Sequence, residues 1–116
     1  MAQRVVIVDD HAEFRLLARA VLEADGFEIA GEAADGLGAL REVERTNPDI
    51  VLLDVNLPDL SGFEVARRLE GPGCPAVVMT SSHDASDFGS RIATSGARGF
   101  IPKSRLSGPA LEALLA

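Results

Sequence analysis

The chain has 116 residues, with 18 Asp or Glu against 11 Lys or Arg, and a formal charge of −7. This length predicts a single domain, and 47% hydrophobic residues with 25% charged ones excludes a disordered chain. An isoelectric point near 4.7, without a basic cluster, argues against direct binding of nucleic acid or of an anionic membrane. The only cysteine, Cys74, excludes an internal disulfide and suits the reducing cytoplasm. No apolar run approaches the roughly 20 residues that a membrane span requires.

Short apolar runs alternate with stretches of helical periodicity. The runs predict strands over residues 4–8, 27–33, 50–53, 76–79 and 100–101. Apolar residues at three- and four-residue spacing predict the helices between and after them: Phe14, Leu17, Ala18, Val21 and Leu22; Leu37, Leu40 and Val43; Phe63, Ala66 and Leu69; Phe88 and Ile92; Leu111, Leu114 and Leu115. Five strands alternating with five helices predict an α/β domain with a parallel sheet covered on both faces.

Three of these elements are weaker than the others. The second strand is interrupted by Gly31, and the fourth helix, over residues 87–95, contains Gly89 and several Ser and Thr residues. The last helix is short and stops at Ala116, either because the natural chain ends there or because it has been cut.

Reactive side chains stand directly after four of the five predicted strands. They are Asp9 and Asp10 after the first, Asp54 after the third, Thr80 and Ser81 after the fourth, and Lys103 after the fifth. Open α/β sheets bind their ligands at the carboxyl ends of the strands. A strand order of 2-1-3-4-5 would bring these groups together.

Three carboxylates at one site require a counter-charge. Two unit charges about 5 Å apart repel by roughly 3 kcal/mol at an effective dielectric constant near 20. A divalent cation removes this repulsion, and oxygen ligands favour Mg²⁺ or Mn²⁺, since neither the histidines nor Cys74 is placed to offer a softer ligand. A cation, a hydroxyl and Lys103 match the charge that develops during phosphoryl transfer. Asp54 is the predicted nucleophile, because the adjacent Asp9 and Asp10 suit metal binding better.

Over its whole length the sequence resembles the receiver domains of bacterial two-component response regulators. The resemblance rests on Val8-Asp9-Asp10-His11, the run from Asp54 to Gly62, Ser81, Gly96-Ala97, Phe100 and Ile101-Pro102-Lys103. It implies a flavodoxin-like, doubly wound (βα)5 fold of the α/β class, with a five-stranded parallel sheet of order 2-1-3-4-5. Residues 1–116 are expected to form one receiver domain, with no output domain among them. The Asp9-Asp10-His11 run and Ser104 look more like receivers linked to DNA-binding helix-turn-helix domains.

The resemblance also implies roles for individual residues. Asp54 would accept a phosphoryl group from a sensor histidine kinase or a phosphotransfer protein. Asp10, Asp54 and the backbone carbonyl of Asn56 would bind Mg²⁺ (or Mn²⁺) directly, and Asp9 largely through water. Lys103 would contact the phosphoryl group.

By the same resemblance, a hydroxyl and an aromatic side chain would respond to the phosphorylation of Asp54. The hydroxyl is Ser81, 22 residues before Lys103, with Thr80 as the reserve, and Phe100 would turn inward. The implied function is a cytoplasmic phosphorylation-dependent switch, not a turnover enzyme, that assists its own phosphorylation and dephosphorylation. Its output would be the surface of the fourth helix, fifth strand and fifth helix. The resemblance leaves open a homodimer through that surface and an output domain or downstream protein as partner.

The same residues admit other interpretations. Asp9 and Asp10 could simply cap the first helix. A flavin-phosphate binder of the same fold is disfavoured because this acidic pair occupies the loop that would meet the phosphate. A phosphatase that forms an aspartyl-phosphate would need an acid/base carboxylate where Asn56 stands. A receiver-like module that binds its partners without phosphorylation is the main alternative.

Overall fold

The computed structural model describes residues 2–115, apart from the side chain of Ala85. Within this range, five strands alternate with five α-helices and two short 3₁₀ turns. The strands are β1 (Arg4–Val8), β2 (Glu28–Ala33), β3 (Ile50–Asp54), β4 (Ala76–Ser81) and β5 (Gly99–Pro102). The helices are α1 (Ala12–Ala24), α2 (Gly36–Thr46), α3 (Gly62–Arg68), α4 (Arg91–Thr94) and α5 (Gly108–Leu115), and the 3₁₀ turns are Ala85–Phe88 and Lys103–Arg105.

The five strands form one parallel sheet in the order β2-β1-β3-β4-β5, which confirms the predicted fold class. The central pair is in register from Val5 opposite Ile50 to Val8 opposite Leu53. Because strand ends in this register are level, the residue after β1 stands beside the last residue of β3. The polar residues that follow these strands therefore meet at one edge of the sheet.

The sheet has an apolar layer on each face, as its uninterrupted apolar runs predicted. One layer, which includes residues of α2 and α3, contains Val6, Val8, Val51, Leu53, Val77 and Met79. The other, which includes residues of α1 and α5, contains Val5, Ile7, Ile50, Leu52, Val78 and Ile101. Alternate residues of each strand thus pack on opposite faces, and both faces are closed to water.

The predicted apolar stripe of α1 is too wide. Phe14, Ala18 and Leu22 are buried, but Leu17 is 56% exposed. At 100° per residue, Leu17 lies about 60° to one side of Phe14, away from Ala18 and Leu22. The buried residues therefore follow a four-residue spacing, and Leu17 faces out of the contact with the sheet.

The predicted helix over residues 87–95 is broken into two pieces. The 3₁₀ turn Ala85–Phe88 comes first, and α4 follows as one turn of helix, Arg91–Thr94. Gly89 separates them with a φ of 57°, a conformation that glycine adopts without strain. The low helix propensity of this segment was visible in the sequence, but the position of the break was not.

Two other weak elements fold without a break. In β2, Val5 pairs with Ile29 and Val6 with Gly31, so Gly31 stays in the strand next to a one-residue bulge. Helix α5 extends over Gly108–Leu115, and its predicted end at Ala116 lies outside the described residues. None of the helices described in residues 2–115 is long and apolar enough to cross a bilayer.

Candidate functional site

Three carboxylates and one imidazole meet at the carboxyl ends of β1 and β3. Potential ligand atoms of Asp9, Asp10, His11 and Asp54, one from each, lie within 4.8 Å of one another. Asp9 follows β1 directly and Asp54 ends β3, and both are buried. The structure thus brings together the three acidic residues that the sequence placed at strand ends.

The Asp9 carboxylate is fixed by its surroundings. Its Oδ1 accepts the backbone N–H of His11 at 2.8 Å and lies 3.1 Å from His11 Nδ1. The Asp9 N–H donates to the Ala33 carbonyl at 3.0 Å, and the Arg15 guanidinium donates to the Asp9 carbonyl at 2.6 Å. Asp9 Oδ2 has no hydrogen-bond partner among the described residues. This oxygen instead forms an ion pair with the Lys103 ammonium.

The ammonium of Lys103 faces that oxygen. Lys103 Nζ lies 2.6 Å from Asp9 Oδ2, without hydrogen-bond geometry, and 3.6 Å from Asp54 Oδ2. Its side chain is only 17% exposed, and Nζ also lies 4.6 Å from the centroid of the Phe14 ring. Two carboxylates, those of Asp9 and Asp54, thus share one ammonium.

Burial raises the pKa of the Asp54 carboxyl above its ordinary value, and the negative charge of Asp9 raises it further. Two contacts act in the opposite direction. The backbone N–H of Asn56 donates to Asp54 Oδ1 at 3.2 Å, and the Lys103 ammonium attracts the ionised form. On balance, the surroundings favour the neutral form of Asp54 more than water does.

The donor set fits a hard divalent cation. Carboxylate oxygens are the ligands that Mg²⁺ and Mn²⁺ prefer. Asp9 Oδ2 already faces a cationic group, Lys103, and accepts no hydrogen bond among the described residues. His11 also belongs to this site, although the sequence predicted no role for it here. Its Nδ1 lies 3.1 Å from Asp9 Oδ1 and 3.1 Å from Asp10 Oδ1. Its place next to the acidic pair in the sequence was the available signal.

The capping alternative for the acidic pair does not hold. The N-cap residue of α1 is His11, and it makes no side-chain cap hydrogen bond. The Asp9 carboxylate accepts the His11 N–H and no helical N–H within the described residues. Among the described residues, neither acid therefore caps the start of α1.

The two candidate hydroxyls at the end of β4 differ in their partners. Thr80 and Ser81 are both buried. Thr80 Oγ1 donates to the Ile101 carbonyl of β5 at 2.7 Å, whereas Ser81 Oγ accepts the His83 N–H at 3.1 Å. The proton of Thr80 is thus engaged between two strands, while Ser81 keeps its own proton to donate.

Phe100 belongs to a row of three aromatic rings. Its half-buried ring lies 5.9 Å from that of Phe88, which lies 6.0 Å from that of Phe63. Phe88 ends the 3₁₀ turn that precedes α4, and Phe63 lies in α3. A change in the position of Phe100 would therefore act, through Phe88, on residues 85–94, which contain the 3₁₀ turn and α4 and are called the α4 segment below.

Asp59, in the loop after β3, is a second residue for which the sequence predicted no role. Its Oδ1 accepts the N–H groups of Gly36 at 2.7 Å and Leu60 at 2.8 Å, and its Oδ2 accepts that of Leu37 at 3.0 Å. These hydrogen bonds lower the pKa of Asp59 to about 2. Asp59 thereby ties the loop that follows Asp54 to the first turn of α2.

Comparison with known proteins agrees with this arrangement. The sequence profile of the response regulator receiver domain matches residues 5–114. The chain is 38% identical over 104 residues to the virulence transcription regulator BvgA of Bordetella pertussis, covering 89% of this chain and 50% of BvgA. It is 30% identical over 115 residues to the chemotaxis protein CheY of Bacillus subtilis, covering 98% of this chain and 96% of CheY.

A solved structure shows the same architecture. The receiver domain of the response regulator NarL from Mycobacterium tuberculosis superposes with a TM-score of 0.86 at 30% identity, covering 99% of this chain and 98% of that one. Several of the curated relatives are longer proteins, and the chain spans about half the length of BvgA.

The fold and the acidic pocket define a doubly wound α/β domain with a cluster of acids at the carboxyl edge of its sheet. The chain belongs to the response regulator receiver domain family of two-component signalling. A phosphorylation-dependent switch, as the sequence predicted, is the standard role of this family. The comparisons give no support to the alternative of a phosphorylation-independent module.

Proposed function

We propose that this receiver domain accepts a phosphoryl group on Asp54 from a sensor histidine kinase or a phosphotransfer protein. The observation that carries this proposal is the position of Asp54 in the pocket. Its carboxylate lies with Asp9 and Asp10 at one sheet edge, and Lys103 Nζ is 3.6 Å from its Oδ2. An acidic nucleophile beside further acids and a lysine suits phosphoryl transfer, in which negative charge must be balanced.

The proposed reaction changes two bonds. An Asp54 oxygen forms a bond to phosphorus as the bond between phosphorus and the donor histidine nitrogen breaks, which leaves an acyl phosphate. Asp54 must be ionised to react, and the Asn56 N–H and Lys103 both favour the ionised form. Lys103 then turns from Asp9 towards the phosphoryl oxygens, where its charge offsets theirs.

Asp9, Asp10 and Asp54, with the backbone carbonyl of Asn56, are the residues that we propose hold Mg²⁺ (or Mn²⁺). The bound cation would offset the carboxylate charges and the negative charge on the transferred group. Asp9 Oδ2 supports this assignment, because it is buried, faces the cationic Lys103 and accepts no hydrogen bond among the described residues.

Ser81 is the proposed switch hydroxyl, because its proton is free to reach a phosphoryl oxygen while that of Thr80 is bonded to Ile101. Movement of the β4 end would change the space beside Phe100 and, through Phe88, the α4 segment. This segment contains one turn of helix with no buried residue, and such weakly packed elements are the ones that move in switches. The proposed output is the surface of α4, β5 and α5.

The wider setting follows from the same proposal. The chain would act as a phosphoprotein without substrate turnover, because Asn56 cannot serve as the acid/base that a phosphatase needs. The exposed free thiol of Cys74 suits the cytoplasm. An output domain or a separate protein would read the switch surface, and a homodimer through that surface is a further proposed arrangement.

The test is the intact mass of the protein after incubation with acetyl phosphate and Mg²⁺. The wild type should gain one phosphoryl group, and the gain should be absent with a chelator and in Asp54→Asn. An equal gain in Asp54→Asn would overturn the choice of acceptor. No gain in any sample would favour the module that works without phosphorylation.

A further inference from the structure

We propose that Phe14 is a positioning residue for Lys103, and that the face of its ring holds the ammonium at the pocket. This inference rests on the proposed function, because Lys103 matters only if it contacts the phosphoryl group. The observation is a contact between two elements. Lys103 Nζ, directly after β5, lies 4.6 Å from the centroid of the Phe14 ring in the first turn of α1.

The geometry is that of a cation–π contact from which water is largely excluded. Cations are attracted to an aromatic face within about 6 Å of the ring centroid, and more strongly when water is excluded. Phe14 is 9% exposed and the Lys103 side chain 17% exposed. Phe14 is fixed in the apolar layer that also contains Ile101 of β5. The ring is therefore a rigid surface for the ammonium.

The other partners of the ammonium are the groups that the reaction uses. Lys103 Nζ faces Asp9 Oδ2 and Asp54 Oδ2. In the proposed function, Asp9 serves the cation and Asp54 becomes an acyl phosphate, so both contacts change. The Phe14 ring binds neither a cation ligand nor the phosphoryl group. It is the contact that persists, and it keeps Nζ near the pocket before and after transfer.

The use of lysine fits this role. Lys103 is the only lysine of the chain, which otherwise uses arginine where it places a permanent positive charge. An ammonium is a compact charge on a flexible stem, which can move from one oxygen to another while it stays over a ring. The planar guanidinium of arginine would favour one fixed, bidentate partner.

A single lysine allows a direct measurement of the contact. In protein labelled with ¹³C,¹⁵N-lysine, we expect the Lys103 Cε protons to resonate upfield of those in a short peptide, because they lie near the face of the ring. Phe14→Leu should remove this shift. Phe27→Leu should retain it, since Phe27 is a phenylalanine of the same apolar layer, 6% exposed, and is a control for the lost ring volume. This measurement requires neither Mg²⁺ nor a phosphodonor.

The second measurement is the rate of phosphorylation by acetyl phosphate at saturating Mg²⁺. Phe14→Leu should slow the reaction by about 2- to 30-fold, the range that corresponds to one cation–π contact. Phe27→Leu should react at the wild-type rate. Pentafluorophenylalanine at position 14 keeps the ring but reverses the charge on its face, so it should also slow the reaction, and it carries the test if Phe14→Leu does not fold.

The outcomes separate the two proposals. A lysine shift that persists in Phe14→Leu, or a wild-type rate with the fluorinated ring, would overturn the role of Phe14. A wild-type protein that gains no phosphoryl group would overturn the proposed function, whatever the lysine spectrum shows.

Discussion

Lys103 Nζ lies 2.6 Å from Asp9 Oδ2, an ångström closer than its 3.6 Å distance from Asp54 Oδ2. The nearer partner of the lysine is thus a proposed cation ligand and not the proposed phosphoacceptor. Asp9 is fully buried, and burying an ionised carboxylate without a counter-charge is costly. Lys103 therefore offsets the charge of Asp9 in this structure, and in the proposed function it moves from Asp9 towards the phosphoryl group.

This pairing predicts a metal-dependent stability effect for Lys103→Met. Without Mg²⁺ the variant leaves three carboxylates with less counter-charge, so its free energy of unfolding should fall by about 1–3 kcal/mol. With saturating Mg²⁺ the loss should shrink. Urea denaturation in chelator and in Mg²⁺ measures both values, and Arg105→Met is the control because Arg105 is an exposed cation two residues away. Equal losses under the two conditions would contradict the pairing.

The raised pKa of Asp54 predicts that Asp54→Asn is more stable than the wild type in chelator at pH 7. A carboxyl whose pKa is raised by folding stabilises the fold below its ordinary pKa, and this contribution disappears as the pH rises through the folded value. The gain in the free energy of unfolding should be about 1–3 kcal/mol at pH 7, because the variant buries no charge at this position and loses the repulsion by Asp9.

The gain in stability should vanish below the ordinary pKa of 3.8, where the wild-type carboxyl is protonated and is therefore neutral, like the amide of the variant. It should also shrink in Mg²⁺, because a ligand of the folded state stabilises the wild type. Denaturation curves at a series of pH values test these statements. A variant less stable than the wild type at pH 7 in chelator would show that the Lys103 attraction outweighs the Asp9 repulsion.

The fold could be predicted because its signals are local. Apolar runs such as Ile50–Leu53 belong to strands buried on both faces, and a carboxylate directly after such a run must lie at the sheet edge. Asp9 and Asp54 could therefore be assigned to one site from their positions in the sequence alone. The same local reasoning failed at Leu17, since spacing alone does not show where a stripe ends.

Phe14 and Asp59 could not be assigned from the sequence, because their roles depend on contacts between distant segments. Phe14 meets a lysine that follows the last strand, and Asp59 accepts an N–H from Gly36, 23 residues earlier. An apolar residue in an amphipathic helix and an aspartate in a Pro/Gly loop are ordinary where they stand. Only the packing of α1, α2 and the β3 loop shows these contacts.

The hydrogen bonds of Asp59 predict that Asp59→Ala loosens the start of α2. The amides of Gly36 and Leu37 lose their acceptor, so their hydrogen exchange should accelerate by about three- to tenfold. Asp35→Ala is the matched control, because the Asp35 side chain accepts the N–H of Gly38 in the same helix but does not reach the β3 loop. In that control the exchange of Gly38 should accelerate, without a change at Leu60.

The same contact predicts how the helix start responds to acid. The pKa of Asp59 is lowered from 3.8 to about 2, so its stabilising contribution is present above 3.8 and is lost as the pH falls through about 2. Chemical shifts of the Gly36 and Leu37 amides should follow that titration in the wild type. A midpoint at the ordinary pKa would contradict the hydrogen bonds between the Asp59 carboxylate and these two amides.

Substitutions of the two hydroxyl residues at the end of β4 should distinguish an effect on stability from an effect on the response to phosphorylation. Thr80→Val leaves the buried Ile101 carbonyl without its donor, so the free energy of unfolding should fall by about 1–3 kcal/mol. The change in the α4 amide shifts on phosphorylation should remain. Ser81→Ala should lower the free energy of unfolding by about 0.5–1.5 kcal/mol, because the His83 N–H loses its acceptor. It should abolish the change in the α4 amide shifts, because no hydroxyl then reaches the phosphoryl group. The opposite pattern would make Thr80 the switch hydroxyl.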